Sequence, residues 1–137
     1  MPKSLSRKDN HRKSLLRNLA TSLVLYEEIR TTATKAKEVR PIVEHLINIA
    51  KKNDLVSRRR LLGYFFDKKA VQKIFEVLVP KYAKETSFVK LYKIGPRLGD
   101  RAEMVILKFE KVKTEKIETP KEHKEKDAEE KISTPKD

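Results

Sequence analysis

The sequence predicts an α+β fold in two layers, a small sheet backed by helices, and three observations carry that reading. Apolar residues recur at helical spacing in four segments before residue 83. From Thr86 onward the period changes to two, as in an antiparallel hairpin. A short β-branched run without helical periodicity, Glu28-Ile29-Arg30-Thr31-Thr32, separates the first two helical segments. The order is therefore helix, strand, three helices and a two-stranded hairpin, which places helices on one side of a sheet.

The first helix is expected over about residues 10–25. Leu15, Leu16, Leu19, Ala20, Leu23 and Val24 form one stripe. At about 100° per residue, Lys13 and Arg17 fall roughly opposite Leu15, giving an apolar back and a basic front. In the strand that follows, Ile29 and Thr31 share a face. Thr34 is placed to cap a second helix, in which Val39, Ile42, Val43, Leu46, Ile47 and Ala50 recur with the clearest periodicity of the chain. Pro41 falls inside that stripe and predicts a kink near residues 37–40 or a helix restarting with Pro41 in its first turn.

Asn53-Asp54 opens a third segment, residues 55 to about 66, with apolar positions Leu61, Leu62, Phe65 and Phe66. Its triplet Arg58-Arg59-Arg60 fans over about 200° of helix, so at least one arginine faces solvent or a partner. Asp67 is placed to cap a fourth helix carrying Val71, Ile74, Phe75, Leu78 and Tyr82, which Pro80 bends or ends. In the hairpin, Phe88, Lys90, Tyr92 and Ile94 oppose Val89, Leu91 and Lys93, and Val105, Leu107 and Phe109 alternate with Met104, Ile106 and Lys108. Its loop, residues 95–101, holds two glycines and two arginines, which lets the backbone approach another chain closely.

The 137 residues include 33 Lys+Arg against 20 Asp+Glu, for a net charge of +13, and no Cys. A disulfide framework, a thiolate nucleophile and a thiolate metal site are thereby excluded. No run of about 18 apolar residues is present, and Met1-Pro2-Lys3-Ser4 lacks the apolar segment of a signal peptide, so a soluble, cytoplasmic protein is expected. Residues 111–137 hold eight Lys and eight Asp+Glu, so the whole excess lies in residues 1–110. All ten arginines precede residue 102, and arginine pairs bidentately with phosphate and stacks on bases. The last 27 residues, rich in Lys, Glu, Thr and Pro, are too poor in apolar groups to offset their ordering entropy and are expected to form a disordered charged tail.

Enzyme signatures are missing. Gly63, Gly95 and Gly99 form neither a dinucleotide turn nor a phosphate loop, and no serine lies in a nucleophile elbow. His11, His45 and His123 are too scattered for a metal site or a relay, and Glu27 and Glu28, adjacent on a strand, point to opposite faces. The chain is therefore expected to be neither an enzyme nor the holder of a cofactor or small-molecule substrate.

Basic residues instead cluster at four places: Arg7 and Lys8 through Arg12, Lys13 and Arg17; Arg30 with Lys35 and Lys37; Arg58 to Arg60; and Arg97 with Arg101. Any one such run is usually a solvated face. Four of them on 110 residues describe a surface that binds nucleic acid mostly through phosphates, with steep salt dependence. Tyr64, Tyr82 and Tyr92 could stack on unpaired bases, but each sits in an apolar pattern that favours packing. A cationic adaptor for membranes fits less well, because the charge is spread over several elements instead of one amphipathic face.

The stretch Asn10-His11-Arg12-Lys13-Ser14-Leu15-Leu16-Arg17-Asn18-Leu19-Ala20-Thr21-Ser22-Leu23 resembles the first helix of the bacterial large-subunit ribosomal protein L seventeen family. So do residues 28–32 followed by Lys35-Ala36-Lys37-Glu38, the spacing of Glu44, Leu46, Ile47, Ala50 and Lys51, and the turn Arg97-Leu98-Gly99-Asp100. The likeness covers roughly residues 4 to 110. This chain departs from it in a shorter basic N-terminal arm, in Asn48 where threonine is usual, and in Pro41. The resemblance implies a structural component of the large ribosomal subunit that binds 23S rRNA and touches neighbouring ribosomal proteins. It makes residues 1–110 the rRNA-binding domain and assigns nothing to 111–137. On that reading the RNA-contacting residues are Arg7 and Lys8 ahead of the first helix, His11, Arg12, Lys13, Arg17 and Asn18 along it, Arg30, Lys35 and Lys37 at the strand-to-helix turn, then Arg58, Arg59, Arg60, Arg97 and Arg101. The alternative is a free-standing nucleic-acid-binding protein of nucleoid or RNA-chaperone type.

Overall fold

The computed structural model describes residues 4–110, so the charged tail over 111–137 lies outside the described residues. The chain forms α1 (Asp9–Tyr26), β1 (Glu28–Thr32), α2 (Ala33–Ala50), α3 (Leu55–Tyr64), α4 (Lys68–Lys73), β2 (Val89–Pro96) and β3 (Glu103–Phe109). α4 runs on through a π-helical stretch, Ile74–Leu78, and a closing α turn, Val79–Lys81. The α+β class and the predicted order of elements both hold.

The hairpin is not a sheet by itself: β1 pairs antiparallel with β3, giving three strands in the order β1-β3-β2. Ile29, Leu107 and Leu91 lie abreast on the inner face, and Arg30, Ile106 and Tyr92 on the outer one. The last strand in sequence is thus the central one. α2 crosses the inner face and touches all three strands. It buries Ala36, Val39, Val43, Leu46, Ile47 and Ala50, which is the predicted stripe with Ala36 added and with Ile42 only half-buried on its flank.

Several local expectations are corrected. α2 begins at Ala33, directly after an extended Thr32, so Thr34 lies inside the helix and caps nothing. Pro41 neither splits α2 nor restarts it. Pro41 and Lys37 are both exposed, so the Lys37 carbonyl that loses its donor lies on the solvent side, where water replaces the missing bond. In α1 the buried set is Leu16, Ala20, Leu23 and Val24, with Leu15 and Leu19 only half-buried. The packed face is thus the far part of the predicted stripe, centred about 125° round the helix from Leu15, and Arg17, at about 200°, sits beside it instead of opposite it. Of the predicted apolar positions of α3 and its end, Leu61 and Phe65 are buried but Leu62 and Phe66 are exposed.

Asp67 does cap α4, its carboxylate accepting from the Lys69 amide at 2.8 Å. The π stretch has a cause in the sequence. Pro80 has no N–H for the carbonyl four residues back and its ring would crowd that carbonyl; the wider turn, in which the Val79 N–H donates to the Ile74 carbonyl, makes room. Beyond it, Tyr82 stacks on Phe88 at 4.8 Å and on Phe109 at 5.8 Å, closing the core between α4 and the sheet. Its hydroxyl donates to the Glu110 carbonyl at 2.6 Å.

Glu27 joins α1 to β1 in the left-handed region, φ 61°, while its N–H donates to the Leu23 carbonyl. Its carboxylate receives Lys73 at 2.8 Å and Lys81 at 3.6 Å, and Lys73 also donates to the Leu25 carbonyl. These cations, Lys73 foremost, hold the Glu27 carboxyl below the usual range. Removing the side chain while keeping a Cβ loses the ion pairs and retains the strain, whereas glycine relieves the strain. Glu27→Ala is expected to be less stable than Glu27→Gly by about 1 kcal/mol, read from urea midpoints.

Candidate nucleic-acid interface

The predicted basic residues divide into those that the fold engages and those it leaves open. On the first turn of α1, Asp9 takes both Arg12 and Lys13 at 2.6 Å, and these two cations hold the Asp9 carboxyl below its ordinary value. In the hairpin loop, Arg97 grips Asp100 bidentately, Nε to Oδ1 at 3.0 Å and Nη2 to Oδ2 at 2.5 Å. That guanidinium, with help from the Ala102 amide, drops the Asp100 pKa to about 2. The pair sets the loop, in which Gly99 takes φ 102° and Arg101 φ 52°.

Arg17 makes a different kind of contact. Its Nη2 donates to the Gly63 carbonyl near the end of α3 at 2.7 Å, and its guanidinium lies over the rings of Phe66 at 4.8 Å and Tyr64 at 5.5 Å. It has no carboxylate partner among the described residues. The triplet on α3 fans as its spacing requires. Arg58 leans toward α4, over the Phe75 ring at 4.6 Å and within reach of the Asn53 side chain at 3.1 Å. Arg60 faces the opposite groove, between α1 and α2, while Arg59 is exposed between them.

Arg7, Lys8, Arg30, Lys35, Lys37, Arg59, Arg60 and Arg101 make no ion pair among the described residues, and all but the half-buried Lys35 are exposed. His11 and Asn18 are exposed on α1. Arg30 stands on the outer sheet face in line with Ile106 and Tyr92. Tyr92 is 52% exposed, whereas Tyr82 is buried and Tyr64 half-buried, so the three tyrosines part company. Fixed arginines and open cations thus occur on α1, β1, α2, α3 and the hairpin loop, with Arg30 on the sheet face opposite α2, and each is a point at which a polyanion's charge can be neutralised.

Two features escaped the sequence. His45 and Ile42, on the α2 flank next to the buried stripe, line a groove with Arg17 and Arg60; their 42, 45, 49 spacing with Ile49 was the available signal. Lys68 and Lys69 add two exposed cations on the first turn of α4. Among the described residues, no group of three or more His, Asp or Glu is placed to hold a metal, and no helix is long and apolar enough to cross a membrane.

Residues 15–110 match the ribosomal protein L17 family. The chain is 45% identical over 108 residues to the large ribosomal subunit protein bL17 of Clostridium botulinum strain Hall, covering 78% of this chain and 96% of that protein. It is equally similar, at 45% over 108 residues with the same coverage, to bL17 of Desulfitobacterium hafniense strain DCB-2. The matched span runs from within α1 to the residue after β3 and so takes in all three strands and every later helix, with Arg7, Lys8 and the first turn of α1 lying before it. With nearly the full length of those relatives aligned at this identity, the chain belongs to the ribosomal protein L17 family.

Proposed function

We propose that the chain is a structural constituent of the large ribosomal subunit that binds 23S rRNA, neutralises phosphates between rRNA helices and so holds them together. Its place is on the ribosome in the cytoplasm, against rRNA and neighbouring large-subunit proteins. The observation that carries the RNA-binding part is the set of open basic side chains spread over several elements packed against one another, because several separated contact points can bridge more than one RNA segment. Family membership supports the structural, non-enzymatic role.

Sedimentation of a tagged chain through sucrose gradients, at low and at high salt, tests the reading. An integral component stays with the large-subunit peak after the high-salt wash, since screening strips only loosely held cations. Migration to the top of the gradient would sink it in favour of a free-standing nucleic-acid binder, which would also hold duplex DNA.

Residues 1–110 act as the RNA-binding domain on this reading, because Lys and Asp+Glu are equal in number over 111–137. Deleting 111–137 is accordingly expected to leave RNA affinity and its salt slope unchanged in filter-binding titrations. A slope lower by two or more units on truncation would move phosphate contacts into that segment.

A further inference from the structure

Three of the open grooves on the surface differ in charge. The one on the outer sheet face is lined by Glu28 and Glu110 as well as Lys108, and the one between α3 and α4 by Glu76 as well as Arg58 and Lys68. The third, a cavity of about 570 Å³ between α1, α2 and α3, has no acidic residue in its lining. Its charged groups are Arg17 and Arg60, with His45 at the rim, and its apolar surface comes from Ile42, Ile49 and Tyr64.

Arg17 is the informative residue. Its guanidinium is fixed by the Gly63 carbonyl and by two aromatic rings, without a carboxylate. A planar cation held this way keeps donors free and costs little to order when an anion arrives. Arg60 supplies a second cation with no ion pair among the described residues. The rest of the lining is mostly non-polar and includes the half-buried Tyr64, one face of which carries the Arg17 guanidinium. A flat, largely apolar group carrying one or two negative charges satisfies every part of this lining, and a paired base within a duplex does not, because stacking keeps its faces covered.

We propose that this groove takes one unpaired nucleotide of the bound RNA, its base against Ile42, Ile49 and Tyr64 and its phosphate on Arg17 and Arg60. The inference rests on the RNA-binding reading above and adds to it a site that selects a single nucleotide out of the stack. His45 at the rim is placed to hydrogen-bond the sugar or a base edge. The groove on the outer sheet face, with two carboxylates against one lysine in its wall, repels the same ligand.

The test uses the full chain and two RNA hairpins identical except that one carries a single bulged 2-aminopurine ribonucleotide. The bulged hairpin is expected to bind about tenfold more tightly, the scale of one stacked base, with a change in 2-aminopurine emission on binding. Ile42→Ser combined with Arg60→Gln should abolish that preference, the two hairpins then binding alike, while affinity for the paired hairpin falls about five- to eightfold at 0.1 M salt through loss of one phosphate contact. Arg60→Gln alone, at an exposed position, serves if the double variant melts early. Equal affinity for both hairpins with unchanged emission would overturn the groove assignment and leave RNA binding standing, opening the groove to an acidic protein segment. A preference that survives in the variants would also overturn it, by placing bulge recognition elsewhere. Binding of neither hairpin would overturn the RNA-binding reading and the groove assignment together.

Discussion

Replacing Tyr82 with alanine is expected to cost about 3–5 kcal/mol of stability, the range for removing a large aromatic side chain from a packed core. The ring is fully buried and stacks on both Phe88 and Phe109, and those two rings are themselves 6.2 Å apart, so three elements meet on it. Tyr82→Phe keeps the stacking and loses only the bond to the Glu110 carbonyl, for about 1 kcal/mol. Urea titrations of the two variants separate packing from hydrogen bonding. The same hydroxyl gives an alkaline signature. Burial, with carboxylates nearby, pushes its pKa up to about 12. Unfolded tyrosine gives up its proton near pH 10, so the unfolded state binds fewer protons than the folded one between about pH 10 and 12. Stability is whole below pH 10 and falls across that window, and Tyr82→Phe should flatten the fall. An equal slope in both proteins would place the alkaline transition on other groups.

The second large effect concerns RNA. Arg30, Lys37, Arg59 and Arg101 stand exposed on four different elements or turns with no ion pair among the described residues. Each phosphate neutralised contributes about 0.7–0.9 to the slope of log K against log salt. Changing all four to alanine is expected to lower that slope by about 3 units and to weaken binding about 10³-fold at 0.1 M salt. The internal pair Arg97–Asp100 provides the control, because Arg97→Gln with Asp100→Asn removes one charge of each sign. That variant should leave the slope nearly unchanged. If the two variants behave alike, the contact surface is not the open cations, and fixed arginines such as Arg17 would have to carry it.

The strongly periodic parts of the fold were legible in the sequence. The α2 stripe from Val39 to Ala50 apart from the half-buried Ile42, the strand Glu28–Thr32 and the hairpin alternation over Val89–Lys93 and Met104–Phe109 fall where their patterns put them. Phe88, by contrast, precedes the strand and is buried in the core, and a bulge falls at Ile94. What was not legible depends on who packs against whom. Six apolar positions on α1 define an arc wider than the core uses, and only contact with α2 and α4 selects Leu16, Ala20, Leu23 and Val24. The pairing of β1 with β3 joins segments too distant for any local pattern to announce. The basic residues were all visible, but their division was not. Asp9 lies three and four residues from Arg12 and Lys13, a spacing from which the pairs could have been read. The hold of the Gly63 carbonyl on Arg17 spans 46 residues and carries no sequence signal.

The strand order has a consequence for how the protein is made. β3 is the last element of the body to be synthesised and the only one that pairs with both other strands, reaching back 80 residues where Lys108 meets Glu28. Until residue 109 has cleared the exit tunnel, a nascent chain holds one finished strand and one half-hairpin with nothing between them, so folding is deferred to the end of translation rather than advancing element by element. During that interval α1 is already outside. On the proposed rRNA-binding reading, a chain that meets its site early would complete its sheet there, making assembly and folding a single event.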